Sequence, residues 1–134
     1  MIGDYNVFNI RSGSKWIGSY GSTRGFVDFN SLDHCVRAAW IIVCSTYRRR
    51  GVLTVSQIIN TFAPPKENNT DVYIDFVCSR LSVFPFYIPS SKLEFANLLS
   101  AMSEYESGKS NKVSPAFILS VVDKFGLSVY KCSR

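Results

Sequence analysis

The chain has 134 residues, 46% of them hydrophobic and 14% aromatic, and 15 Lys+Arg against 10 Asp+Glu give it a formal net charge of +5. That is length and apolar content for one self-supporting domain, which excludes a disordered tail and a mini-protein dependent on cross-links. The positive balance suits nucleic acid, an anionic membrane or the acidic bacterial wall equally and selects none of them.

The β-prone runs 5–11, 15–20 and 25–29, divided by Ser12-Gly13-Ser14 and Gly21-Ser22-Thr23, predict a small antiparallel sheet within residues 1–30. Residues 31–134 read as a helical body. Asn30 or Ser31 caps a helix to about Arg48, and Gly51 follows its end. Its middle, 35–44, is apolar nearly all round apart from Arg37, so this is the expected central buried helix. Arg37 either snorkels its head to the surface or pairs with a carboxylate. Arg48-Arg49-Arg50 suits a helix C-terminus, where cations oppose the macrodipole, and reads first as a solvated end. Thr54 with Gln57 makes a capping box for a short helix through Ile58, Ile59 and Phe62. Pro64-Pro65 then stops that helix, because prolines fix φ and supply no amide hydrogen. Glu67, Asn68, Asn69 and Thr70 follow as acceptors suited to capping the next helix, which carries Tyr73, Phe76, Val77 and Leu81. Residues 82–89 predict an extended crossing. Ser91 with Glu94 opens a helix to about Glu106, with Gly108 just past its end and a polar loop over 107–112. Ser114-Pro115 starts the last helix, which stops at Gly126. The expected fold class is α+β: a small antiparallel sheet packed beside a mainly helical body, in a single domain over 1–134.

Few residue groups could carry chemistry. Cys35, Cys44, Cys78 and Cys132 include no CxxC pair, and Cys35 and Cys44 fall about 180° apart on one helix, so reduced thiols are expected. His34 is the only histidine, which argues against a catalytic zinc site or a Cys/His dyad, and no metal or cofactor is expected. Phosphate-loop, HExxH and GxSxG signatures are absent, and the scattered basic residues weaken a nucleic-acid reading. The opening Met1-Ile2-Gly3-Asp4-Tyr5 lacks the marks of a signal peptide, and the longest apolar run, 38–44, is too short to span a bilayer.

Glu106 stands out. On a helix it lies within about 40° of Phe95, Leu99 and Met102, the apolar stripe, whereas Glu104 points some ~160° away and reads as solvated. Partial desolvation and the negative end of the helix dipole both raise a carboxyl pKa, the condition for a proton donor near neutral pH. Glu67 is the rival carboxylate, either a hydrogen-bonding hub of the proline turn or a substrate ligand. Asp71 is more simply a favourable charge in a first helical turn. Trp16, Tyr20 and Phe26, from the expected sheet, are core aromatics or stack on sugar rings at a cleft edge.

The segments Asn6-Val7-Phe8-Asn9-Ile10-Arg11, Trp16-Ile17-Gly18, Gly25-Phe26, Val36-Arg37-Ala38, Ala63-Pro64 and Glu67-Asn68-Asn69-Thr70 with Tyr73 occur in an order that resembles phage and prophage structural or virion lytic proteins. Those proteins are related to the lytic enzyme of enveloped double-stranded RNA phages and are lysozyme-like or lytic-transglycosylase-like. The resemblance covers residues 6–80, and Glu106-Ser107-Gly108 is similar to a Glu-Asn-Gly ending in longer members. Two departures stand out: Val7 and Phe8 replace a proline and a glycine of the family's first motif, and Cys35 stands where a glycine is usual. The tight turn there is expected to be remodelled.

The resemblance implies a lysozyme-like fold and a peptidoglycan-degrading enzyme with Glu106 as its catalytic acid/base. Asn9, Arg11, Glu67, Asn68, Thr70 and Tyr73 become the candidate substrate-binding residues, with no metal. Bacterial peptidoglycan is the expected partner, and other virion proteins are further candidates; neither nucleic acid nor membrane insertion is expected. The protein would be made in the host cytoplasm and act in the periplasm or cell wall. Lytic transglycosylases place a Glu-Ser step ahead of a small β-region, whereas here it follows that region, so the cleft would be a circularly permuted one. A wall-peptide endopeptidase on the same fold and a non-enzymatic wall-binding protein remain open alternatives.

Overall fold

A computed structural model describes residues 5–132. Residues 1–4, on which the reading of a missing signal peptide rests, lie outside them.

The sheet is smaller than predicted. Strand β1 (Ser19–Thr23) pairs antiparallel with β2 (Phe26–Phe29), with a register shift between Ser19 and Gly21. The run 5–11 does not form a strand. Val7 and Phe8 are consecutive and both buried, unlike the in–out alternation of a strand with one solvated face. The chain turns there instead: the Asn9 amide donates to the Asn6 carbonyl at 3.1 Å, and Asn9 sits at φ 52°. The run meets the sheet only at its end, where Arg11 forms an isolated bridge to Phe26 and the Val27 amide donates to the Ile10 carbonyl at 2.9 Å. The run 15–20 is likewise cut, because Gly18 turns the chain at φ +84°. A Cβ at Gly18 would lie 2.2 Å from His34 Cγ, so glycine lets this loop close onto the start of the first helix.

The first helix, α1, runs through Leu32–Ile41 and continues as a π-helical stretch, Ile42–Thr46, into Tyr47–Arg49. Ser31 caps it by accepting from the His34 amide. Trp40 is buried, and its indole donates to the Ser128 carbonyl. Helix α2 (Val55–Phe62) opens with the expected Thr54–Gln57 capping box. Helix α3 (Thr70–Leu81) has Asn69 at its N-cap without a side-chain cap, so the predicted polar cap is not made there. Helix α4 (Lys92–Ser107) carries the Ser91–Glu94 box, and α5 (Pro115–Phe125) is capped by Ser114 with proline in its first turn. The architecture is therefore α+β: among the described residues, a two-stranded sheet lies beside five helices, with one 3-10 turn at Lys109–Asn111.

Helix α4 shares the centre expected for α1. Residues 98–104 are all buried, and the helix packs against α3, α5 and α1. Small residues (Ser100, Ala101 and Ser103) let its neighbours approach on every side, and the Ser103 hydroxyl accepts from the Val113 amide at 2.9 Å. Glu104 corrects the sequence reading: it is 8% exposed rather than solvated, and it pairs with Arg80 at 3.1 Å and Lys112 at 3.8 Å. The Arg80 contact first, then the charges of both partners, holds its carboxyl below the usual range.

Arg37 is half-buried with its guanidinium 5.9 Å from the Phe125 ring, a cation over an aromatic face, and among the described residues it pairs with no carboxylate. All four cysteines are free thiols, buried except Cys132. Burial pushes the Cys35 thiol up to about 12 and Cys44 well above its usual value, so neither is a thiolate at neutral pH.

Candidate functional site

The turn over residues 6–9 is built around a buried amide. Asn6 donates from Nδ2 to the carbonyls of Ile10 (3.0 Å) and Val27 (2.9 Å), and its Oδ1 accepts from the Ile10 amide (2.9 Å). The Cys35 thiol approaches the same oxygen at 3.7 Å. Val7 and Phe8 are packed into the core above Cys35, whose thiol lies against both of their backbones. The departures noted in the sequence thus meet in one place: larger side chains fill the turn, and the cysteine fills the space beneath it.

This turn fastens the end of α4. Asn9 donates from Nδ2 to both the backbone carbonyl of Glu106 (3.1 Å) and its Oε1 (2.9 Å). The Ser107 hydroxyl donates to the Val7 carbonyl at 2.6 Å. Gly108 ends the helix at φ +88°, its amide returning to the Glu104 carbonyl at 2.8 Å. Residues 97 and 100 positions apart are thereby locked together, and the Glu106 carboxylate is held by its neighbour's amide instead of fraying into water.

Glu106 is half-buried. Desolvation raises its pKa, against the lowering effects of the Asn9 hydrogen bond, the Tyr73 hydroxyl and the Arg11 charge. Tyr73 is 1% exposed and stacks on Tyr105 with ring centroids 4.0 Å apart. Its hydroxyl lies near enough to Glu106 for each to shift the other's titration, yet it completes no hydrogen bond. It is the one buried side-chain polar atom without a partner among the described residues.

A cleft of about 450 Å³ opens beside Glu106. Asn9, Arg11 and Phe26 line it from the turn and sheet, Ile42 from the π-helical part of α1 and Tyr47 from the turn after it, and Phe62, Pro64, Glu67 and Asn68 from the end of α2 and the proline turn. Arg11 lies over the Phe26 ring at 4.9 Å and joins Glu67 at 2.5 Å, with side chains 60% and 50% exposed, so this pair links the two walls. Thr70 is placed elsewhere: it is buried, and its hydroxyl donates to the Ala63 carbonyl at 2.6 Å, which fixes the proline turn. Of the candidate residues, Glu106, Asn9, Arg11, Glu67 and Asn68 therefore share the cleft, Tyr73 stands behind Glu106, and Thr70 supports the wall. Trp16 and Tyr20 line a separate hollow and do not reach the cleft.

The sequence reading missed Asn6, Ser107 and the π-helical stretch. Asn6 and Ser107 stood in the quoted motifs, but the bonds that give them their role reach across the chain and leave no local mark. The π-helix has no local signal. Such single-turn bulges often occur at functional sites, and this one presents Ile42 to the cleft. Among the described residues, no cluster of His, Cys, Asp and Glu could hold a metal ion, and no helix is long and apolar enough to cross a membrane.

No protein-family model matches the chain. Protein P5 of Pseudoalteromonas phage PM2 is 28% identical to it over 109 residues, which cover 77% of this chain and 68% of that protein. That likeness supports a bacteriophage origin and brings no lytic assignment with it.

Proposed function

We propose that this is a lysozyme-like, peptidoglycan-degrading enzyme that cleaves the glycan strand with Glu106 as its single acid/base. The observation that supports it best is the raised, half-buried carboxyl of Glu106 at the mouth of a cleft, oriented by Asn9 and backed by the unpartnered Tyr73 hydroxyl. A carboxyl that desolvation holds protonated to higher pH than a solvated one can donate to a glycosidic oxygen as the bond to the anomeric carbon breaks. The resulting carboxylate then takes a proton from the incoming nucleophile, a sugar hydroxyl in a transglycosylase or water in a hydrolase.

The other carboxylate in the cleft, Glu67, is exposed and paired with Arg11, which suits it to holding substrate rather than attacking it. A mechanism assisted by the substrate's own N-acetyl group therefore fits better than a two-carboxylate one. Asn9, Arg11, Glu67 and Asn68 would position the sugar, and Phe26 and Phe62 offer apolar surface to its ring faces. Activity would be exerted in the periplasm or wall, on peptidoglycan. Purified peptidoglycan incubated with the chain should release soluble fragments. Retained wall binding without any release would replace this reading with that of a wall-binding protein.

A further inference from the structure

Residues 84–93, running from the loop after α3 into the first turn of α4, present apolar side chains that neither the core nor the cleft uses. Phe84 and Phe86 are 71% and 73% exposed, and their rings stack within 6° of parallel with centroids 5.6 Å apart. Ile88 and Leu93 extend the patch, both exposed. The backbone beneath is held firmly. The Tyr87 amide donates to the Phe84 carbonyl at 3.0 Å, and the amides of Val55 and Ser56 donate to the carbonyls of Tyr87 and Pro85, each at 2.9 Å. The Tyr87 hydroxyl bonds Glu94, and Arg48 donates to the Pro89 carbonyl at 3.2 Å. Large aromatics pinned in water on an ordered loop mark an interaction surface.

The charge around the loop indicates what it meets. The Arg48 contact brings the end of α1 against it, and the next two residues, Arg49 and Arg50, are exposed. Lys92, between Ile88 and Leu93, is exposed as well. Glu94, the acidic residue that follows the segment, is engaged by the capping box and by Tyr87. Aromatic and aliphatic side chains flanked by Arg and Lys are what the headgroup boundary of an anionic bilayer accepts: rings enter, cations stay at the phosphates. The loop carbonyls of Pro85 and Tyr87 are already taken, which disfavours strand addition by a peptide.

We infer that residues 84–93, with Arg49, Arg50 and Lys92, form a peripheral docking surface for an anionic lipid bilayer. The surface involves no membrane-crossing segment and is separate from the cleft, so it stands or falls independently of wall cleavage. The test is vesicle flotation with the full chain, on phosphatidylcholine alone and on phosphatidylcholine mixed with phosphatidylglycerol. The chain should float with the anionic vesicles, weakly with the neutral ones, and less as salt is raised. Phe84→Ser with Phe86→Ser should weaken binding roughly tenfold or more while the thermal melt is kept. Arg49→Gln with Arg50→Gln should reduce the preference for anionic vesicles by about fivefold per cation. No binding to anionic vesicles, or binding unchanged in the double phenylalanine variant, would overturn the inference. Self-association in sedimentation velocity that disappears in that variant, without vesicle binding, would also overturn it and assign the patch to a second copy of the chain.

Discussion

Replacing Glu106 with glutamine separates proton transfer from architecture. The amide oxygen of glutamine can still accept from Asn9, whose bonds of 2.9 and 3.1 Å hold the side chain and the helix end. The transferable proton is lost. General acid–base groups contribute about 10²–10⁴-fold in rate, or about 2.7–5.4 kcal/mol of transition-state stabilisation, so clearing of a wall suspension should slow by that order. Stability should move the other way. The folded carboxyl titrates above its ordinary 4.5, so its stabilising contribution is complete below the unfolded value and is lost as pH rises through the folded one. Above its folded pKa the ionised, desolvated Glu106 is a burden that Glu106→Gln does not carry. The variant should melt at or above the parent there and lose that advantage below 4.5. Asp75→Asn, on the exposed face of α3, serves as the control and should match the parent in both assays. Full lytic activity in Glu106→Gln would refute the reasoning. So would a lowered melting temperature at neutral pH, since the residue would then be structural.

Asn9→Ala removes a donor to a partly charged acceptor, a bond worth about 1.5–3 kcal/mol, so the rate should fall by one to two orders of magnitude. Because Asn9 holds the Glu106 pKa down, the basic limb of the pH–rate profile should also shift to higher pH; an unshifted limb would break the link. Tyr73→Phe deletes the unpartnered hydroxyl, so the melt should hold or rise by up to about 1–3 kcal/mol while turnover drops, and unchanged turnover would leave Tyr73 a core residue. Glu67→Gln opens an exposed ion pair, so stability should stay within about 1 kcal/mol while KM rises more than kcat falls; a collapse of kcat would move Glu67 into the chemistry. Gly18→Ala should destabilise by about 1–3 kcal/mol, since its Cβ would meet the His34 ring at a positive φ, and a parent-like melt would show that the loop yields.

Much of the helical body was legible because its signals are local. The Thr54–Gln57 and Ser91–Glu94 capping boxes and the Ser114-Pro115 start each fall within a single turn, and the structure contains them as expected. The sheet was less legible, since β-propensity cannot register that Val7 and Phe8 both turn inward or that Gly18 must close on His34. Glu104 was misjudged because angular position on α4 ignores what packs outside it, and Arg80 and Lys112 come from other parts of the chain. At the site, the apolar stripe singled out Glu106, whereas its attachment to Asn9, and that of Ser107 to Val7, depends on contacts across most of the chain, which no local pattern encodes.

The central claim is that this cleft breaks the glycan strand, and the bond broken can be read directly. Purified peptidoglycan digested with the chain and resolved by mass spectrometry should yield muropeptides ending in anhydro-sugars or new reducing ends, with none from Glu106→Gln. Newly exposed amino groups with intact glycan strands would contradict the account and place the cut in the wall peptide.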